Sequence, residues 1–110
     1  MARQDKNALP GGTAMLVLAL LKEREMYGYQ IIEELERRSE QVFQMKEGTL
    51  YPILHGLEKD GLVTAREQAA PSGRMRRYYH ITEAGRRSLE EKRQAWTAYS
   101  RAVTAILAGT

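Results

Sequence analysis

The segment from Lys46 to Val63, KEGTLYPILHGLEKDGLV, most constrains the fold because it predicts a helix with two specialised faces. One face is apolar, with the i, i+3, i+4, i+7 spacing of a core-facing helix side: Leu50, Ile53, Leu54 and Leu57. The opposite face carries few of the long charged side chains that normally cover a solvent surface. It presents Gly48, Thr49, Tyr51, Pro52, His55, Gly56 and Lys59. The helix is expected to stop at Gly61.

An uninterrupted apolar run, AMLVLALL from Ala14 to Leu21, predicts a first helix, for which Thr13 is the candidate N-cap. A helix that is apolar on all sides is expected to be buried on more than one side. Because a small monomer rarely provides that much cover, we expect this helix to lie between its own domain and a partner subunit.

The remaining segments predict a second helix, a hairpin and a long final helix. MYGYQIIEELERRSE predicts the second helix, and QVFQM predicts a short extended link. LVTAREQ and RRYYHIT predict two strands joined by a turn at Pro71, Ser72 and Gly73, with Tyr79 and Ile81 facing the core. After Thr82 as N-cap, no Pro or Gly interrupts the chain from Arg86 to Ala108, so one helix of about 35 to 40 Å is expected.

This order of elements predicts a mainly α (α+β) fold, a winged helix-turn-helix followed by one long C-terminal dimerisation helix. We assign residues 1–12 to a flexible arm, 13–82 to the DNA-binding domain and 83–110 to the dimerisation helix. In such folds the third helix enters the major groove and the hairpin, or wing, touches the flanking DNA. The unusual face of the third helix is then explained, because glycine and proline allow close approach and hydroxyl groups reach phosphates.

Basic residues are concentrated in one part of the chain. The net charge is only +3, but the segment from Ala65 to Arg87 holds six arginines against two glutamates. Clustered arginine suits a surface that neutralises phosphates and releases their counterions. We therefore predict that Arg74, Arg76 and Arg77 of the wing contact DNA, the alternative being a solvated loop.

Several other functions are disfavoured by composition. The chain has no Cys and two His, so a metal site or cofactor is not expected. No stretch reaches the roughly 18 apolar residues of a membrane span, and the N-terminus has no signal-peptide pattern. We expect a cytoplasmic protein that does not bind membranes. No nucleophile stands at useful spacing from a base, and no Gly-rich phosphate loop or catalytic carboxylate pair is present, so we do not expect an enzyme.

The motifs GTLYPIL, LEKDGLV, GRMRRYYHITEAG and YGYQI together resemble the PadR family of bacterial transcriptional regulators, and the single long C-terminal helix is similar to its small subgroup. The resemblance implies a homodimeric winged-helix repressor that binds double-stranded DNA at an inverted repeat. It implies DNA contacts at the matching motif positions, Gly48, Thr49, Tyr51, Pro52, Gly73, Arg74, Arg76 and Arg77. Lys46, His55 and Lys59 are further candidates because of their place on the third helix.

Two of these candidates have a plain structural alternative. Tyr51 lies roughly 100° from the centre of the apolar stripe, so it could be a half-buried tyrosine packed beside the core. His55 could be an ordinary exposed histidine. We favour DNA contact for Tyr51 and leave both readings of His55 open.

The final helix carries an a/d-like seam in which Leu89, Trp96 and Val103 are seven residues apart, with Tyr99 and Ile106 at intermediate positions. We predict a dimer interface formed by this seam together with Leu16 and Leu20 of the first helix. A seam that packs only on its own domain is the alternative, but a helix this long extends beyond a domain this small.

Small members of the resembling family carry a tryptophan on this helix where planar aromatic compounds can stack. We hypothesise that Trp96 and the partner subunit's Trp96 sandwich such an effector, with Tyr99, Ala95 or Ala98 nearby and Met15 as a wall. An ordinary core tryptophan is the alternative for Trp96. A regulator without an effector and a winged-helix adaptor that binds a protein are the alternatives for the whole chain.

Overall fold

The computed structural model describes residues 12–110, so the predicted arm lies almost wholly outside the described residues. Four helices and three short strands follow one another along the chain. Their bounds are α1 Gly12–Glu23, β1 Met26–Tyr27, α2 Gly28–Arg38, α3 Glu47–Lys59, β2 Val63–Ala69, β3 Met75–Ile81 and α4 Glu83–Ala108. Within these residues no helix is long and apolar enough to cross a membrane.

The core lies where α1 meets α2, α3, the sheet and the start of α4. It is formed by buried aliphatic side chains and Tyr79: Met15, Val17, Leu18, Leu20, Leu21, Met26, Ile31, Leu35, Leu50, Leu54, Leu57, Val63 and Leu89. The subunit therefore covers most of α1 by itself, more than its apolar sequence led us to expect. Because α1 begins at Gly12, Gly12 belongs to the helix rather than to the arm, and Thr13 lies in the first turn rather than at the cap.

The sheet has three antiparallel strands in the order β1-β3-β2. The hairpin of β2 and β3 was predicted and is confirmed, with Val63 opposite Ile81 and Ala69 opposite Met75. β1 was not predicted, since its two residues were assigned to the second helix; they pair with Tyr79 and Tyr78 of β3. On β3 Tyr79 is buried as expected and Ile81 is half-buried, whereas Tyr78, on the other face, is also buried.

α3 shows the predicted apolar side, with Leu50, Leu54 and Leu57 buried. The helix ends as expected, because Asp60 is its C-cap and Gly61 adopts a φ of +77°, in the left-handed region that favours glycine. The segment between α2 and α3 is a turn with positive φ at Glu40 and Gln41, followed by residues without regular structure.

α4 extends beyond the rest of the molecule. Thr82 caps it as predicted, its Oγ1 accepting a hydrogen bond from the backbone N–H of Gly85 at 3.0 Å. The helix has 26 residues, which at about 1.5 Å per residue is about 39 Å. The described molecule measures 55 × 29 × 28 Å, and Tyr99, Ile106 and Leu107 remain exposed along the distal half of the helix.

Candidate nucleic-acid interface

The outer side of α3 is accessible along its whole length. Every candidate position on it is exposed: Lys46 at the N-cap, then Gly48, Thr49, Tyr51, Pro52, His55, Gly56 and Lys59. Nothing lies within 4 Å of the place where a side chain would begin at Gly48 or Gly56. Packing against residues 12–110 therefore does not require these glycines, and they leave the helix backbone open to another molecule.

Pro52 lies inside α3, where it has no N–H to donate to the carbonyl oxygen of Gly48 one turn earlier. Gly48 carries no side chain to cover that carbonyl group. The carbonyl oxygen of Gly48 therefore lacks the N–H donor that residue 52 of a regular helix would supply. An unpaired carbonyl oxygen can accept a hydrogen bond from water, a base amino group or a side chain.

Tyr51 is partly packed against the subunit and partly exposed. Its hydroxyl packs against the first residue of α2, so closely that a Cβ at Gly28 would lie 2.7 Å from the oxygen. The residue is nevertheless 36% exposed. Burial of the hydroxyl, and secondarily the Glu47 carboxylate, raise the pKa of Tyr51. At neutral pH the hydroxyl is therefore protonated and can donate a hydrogen bond.

The wing arginines divide between two faces because side chains alternate along β3. Arg74 precedes the strand and is exposed beside Gly73, whose φ of +92° forms the turn. Arg76 and Tyr78 share one face, and Arg77 and Tyr79 share the other. The sequence predicted the same role, DNA contact, for all three arginines, but the structure gives each a different environment.

Arg77 is held inside the subunit by carboxylates. Its guanidinium lies 3.3 Å from Glu58 of α3 and 3.9 Å from Glu67 of β2. About half of the side chain is exposed (47%), so the pairs are partly screened by water. Arg77 thus connects the wing to α3, and less of its charge is available for phosphate than the sequence indicated.

Arg76 has an aromatic neighbour instead of a carboxylate. Its guanidinium carbon lies 5.2 Å from the ring centroid of Tyr27, within cation–π range. Tyr27 itself packs edge to face on Tyr78, with the centroids 5.3 Å apart. Tyr27 was not a predicted site residue, and no local pattern marked it, because its neighbours on β3 are distant in sequence.

The residues predicted for the dimer interface and for the effector site differ in how far they are buried. Leu20, Leu89 and Met15 are buried within the subunit, which leaves little of these side chains for a partner or a ligand. Leu16, Trp96 and Val103 are half-buried. Ala95, Tyr99 and Ile106 are exposed, and the rings of Trp96 and Tyr99 stand 5.7 Å apart at an angle of 33°.

An apolar groove of about 250 Å³ lies between α1 and α2. Aliphatic and aromatic side chains from both helices and the following turn form most of its wall: Leu16, Ala19, Leu20, Leu35 and Phe43. The chain therefore carries two apolar surfaces, this groove and the end of α4 with Ile106 and Leu107. Among the residues that the structure describes, no group of three or more His, Cys, Asp or Glu could hold a metal ion.

Comparison with known proteins gives one family. The model of the PadR-like family of transcriptional regulators matches residues 17–91. The transcriptional regulator Rv3488 of Mycobacterium tuberculosis is 42% identical over 81 residues, which cover 74% of this chain and 72% of that protein.

Solved structures agree over most of the chain. A PadR-like transcriptional regulator from Bacillus cereus is similar with a TM-score of 0.79 and 32% identity, covering 88% of this chain and 92% of that one. A transcriptional regulator from Clostridium thermocellum is similar with a TM-score of 0.78 and 28% identity, covering 86% of this chain and 91% of that one. The likeness includes the winged helix and a long C-terminal helix.

Proposed function

This chain belongs to the PadR-like family of transcriptional regulators, and on that premise we propose that it binds a specific DNA sequence as a homodimeric repressor. The observation that supports sequence recognition best is the outer side of α3. Among the described residues nothing lies within 4 Å of a Cβ position at Gly48 or Gly56, and Thr49, Pro52 and His55 are exposed on the same side, as a helix that enters the major groove requires.

Each group on this surface has a separate role in the proposal. Thr49 and His55 point from the exposed side of α3 toward base edges, where short polar side chains can discriminate bases. Tyr51, Lys46 and Lys59 lie at the flanks or ends of the helix and contact phosphates. Arg74 and Arg76 of the wing bind the flanking backbone, while Arg77 mainly orients the wing through Glu58.

The homodimer is proposed from two apolar surfaces on the same chain. Ile106 and Leu107 at the end of α4 are 72% and 61% exposed, and the groove beside Leu16 and Phe43 is lined by apolar side chains. In a two-fold dimer the end of α4 of each subunit can pack into the groove of the other subunit. Both apolar surfaces of both subunits are then buried. It also presents two α3 helices to half-sites about one DNA turn apart.

The effector part of the proposal rests on Trp96. Its indole is half-buried against the core and lies beside Tyr99, which is exposed on α4. Two such indoles near a two-fold axis form a flat apolar slot for a planar aromatic compound. Binding there shifts the α4 pair, changes the distance between the two α3 helices and relieves repression.

Salt-dependent retention of DNA tests the proposed function directly. Genomic fragments are incubated with the purified protein, eluted at rising salt and sequenced. We expect an inverted repeat to be enriched, and binding to weaken steeply with salt because phosphate contacts release counterions. A winged-helix adaptor for a protein partner would retain no DNA even at low salt. A reporter with the recovered repeat at its promoter separates repression, which lowers expression, from activation.

Intrinsic fluorescence tests the effector, because Trp96 is the sole tryptophan of the chain. The protein is titrated with planar aromatic dyes, with correction for inner-filter absorption, and DNA binding is repeated with each compound that quenches. We expect saturable quenching of the wild type that accompanies release of DNA. We also expect loss of binding in Trp96→Ala, followed through the fluorescence anisotropy of the dye itself because this variant has no tryptophan. Quenching compounds that bind Trp96→Ala equally well would leave a regulator without this effector site.

A further inference from the structure

Tyr27 is held in place by three separate interactions. Its backbone pairs with Tyr78 of β3, and its backbone N–H donates a hydrogen bond to Oε1 of Gln30 at 3.1 Å. Its ring packs against the ring of Tyr78 at an interplanar angle of 79°. These contacts fix the ring at the point where β1 passes into α2.

Arg76 places its guanidinium over this fixed ring. The Cζ to centroid distance is 5.2 Å, and Nε is buried with no hydrogen-bond partner among the described residues. The structure shows carboxylate contacts for Arg77 but, within residues 12–110, no ion pair for Arg76. Arg76 is therefore positioned by an aromatic face, and no carboxylate of the described residues neutralises its charge.

Tyr51 approaches the same place from α3. Its hydroxyl lies against Gly28, the residue that follows Tyr27. Because Arg76 lies over the ring of Tyr27, the two side chains reach consecutive residues of the chain. Burial and the Glu47 carboxylate raise the pKa of Tyr51, against the smaller lowering effect of the positive charge of Arg76. A cation and a hydroxyl donor thus converge from the wing and from α3.

We propose that Tyr27 is a positioning residue of the DNA interface, which holds the Arg76 guanidinium so that Arg76 and Tyr51 bind the same DNA phosphate. The proposal rests on the DNA-binding function proposed above. An arginine that is already ordered loses less side-chain entropy when it binds phosphate, so the aromatic face of Tyr27 increases affinity without touching DNA. A purely structural role for Tyr27 predicts no such dependence on Arg76.

The test is a double-mutant cycle on the full chain, with a fluorescent duplex that carries the recovered inverted repeat and a second duplex of unrelated sequence. Tyr27→Phe keeps the ring and is the matched control, expected to bind like the wild type. Tyr27→Leu removes the aromatic face and is expected to weaken binding to both duplexes about three- to tenfold. Arg76→Ala is expected to reduce the slope of log K against log salt by about 1.8, because one phosphate contact per subunit, and therefore two per dimer, is lost.

Coupling between the two residues decides the outcome. We expect Tyr27→Leu to cause no further loss of affinity in the Arg76→Ala background. Arg76→Lys, which keeps the charge but stacks poorly, is expected to lose affinity with little change in salt slope. This variant tests the same contact without altering Tyr27. It therefore remains informative if Tyr27→Leu destabilises the fold.

Three results would overturn the proposal. If the losses of DNA affinity caused by Tyr27→Leu and Arg76→Ala are additive, Tyr27 has only a structural role. Unchanged binding by Tyr27→Leu and Arg76→Lys would show that the stacking has no role in DNA affinity. Absence of DNA binding by the wild type would instead reject the proposed function itself, and this inference with it.

Discussion

The hydroxyl of Tyr51 occupies the space that a side chain at Gly28 would need, with only 2.7 Å between that oxygen and the position of a Cβ. Gly28→Ala is therefore expected to displace Tyr51 from the start of α2. We expect DNA affinity to fall by about 1 kcal/mol, the value of one hydrogen bond, while the protein stays folded. Fluorescence anisotropy with the inverted repeat measures the loss.

A matched pair of variants isolates the cause of that loss. Tyr51→Phe removes the oxygen that collides with the new methyl group, so Gly28→Ala should cost less affinity in the Tyr51→Phe background than in the wild type. Equal losses in the two backgrounds would show that Gly28 acts independently of the Tyr51 hydroxyl.

Gly85 and Gly56 are expected to respond in opposite directions to the same substitution. A Cβ at the buried Gly85 would collide with the backbone carbonyl oxygen of Leu62, and backbone cannot move aside cheaply. Gly85→Ala should lower the free energy of unfolding by about 1–3 kcal/mol. Gly56→Ala, in the open face of α3, should raise it by about 0.5–1 kcal/mol. Urea unfolding of both variants checks the pair, and a stable Gly85→Ala protein would contradict this packing.

Pro52 is expected to lower the free energy of unfolding, because it supplies no N–H to the Gly48 carbonyl group. Pro52→Ala restores an N–H that can donate to the Gly48 carbonyl group, so unfolding free energy should rise by about 1–3 kcal/mol. Discrimination between the inverted repeat and unrelated DNA should fall. His55→Ala on the same face restores no such bond and is the control for stability. A Pro52→Ala protein that is no more stable than the wild type would mean that α3 already compensates for the proline.

The distal end of α4 is expected to control assembly. Charges at Ile106 and Leu107 would prevent burial of this apolar end, so the double variant Ile106→Glu, Leu107→Glu should sediment as a monomer at micromolar concentration where the wild type is a dimer. Arg101→Glu is the control, because the exposed Arg101 lies about 140° around the helix from Ile106 and about 120° from Leu107. A wild-type monomer, or a dimer that survives both glutamates, would reject this interface.

Features that depend on neighbours along the chain were predictable from the sequence. Apolar spacing predicted the buried side of α3, Gly61 its end, and Thr82 the start of α4. Each of these depends on helix geometry or on one residue's backbone preference. The exposure of the opposite side of α3 followed from the same periodicity.

Features that depend on distant pairing were not predictable. β1 has two residues and no alternation, and it exists because Met26 and Tyr27 meet β3. The ion pair of Arg77 with Glu58 spans wing and helix, so nothing local distinguished Arg77 from Arg76. The apolar run of α1 correctly indicated burial on several sides, but the sequence did not show that α2, α3, the sheet and α4 of the same subunit supply most of it.

The central claim, that α3 recognises bases while the wing holds the backbone, is tested most directly by comparing the DNA sequences that different variants select. Wild type, Thr49→Ala and His55→Ala are each used to enrich random duplexes at one fixed salt concentration. We expect the wild type to recover an inverted repeat, and the two variants to recover the same repeat spacing with altered base preference inside the half-sites. Recovery of no repeat by the wild type, or of an identical half-site sequence by all three proteins, would contradict the assignment of α3.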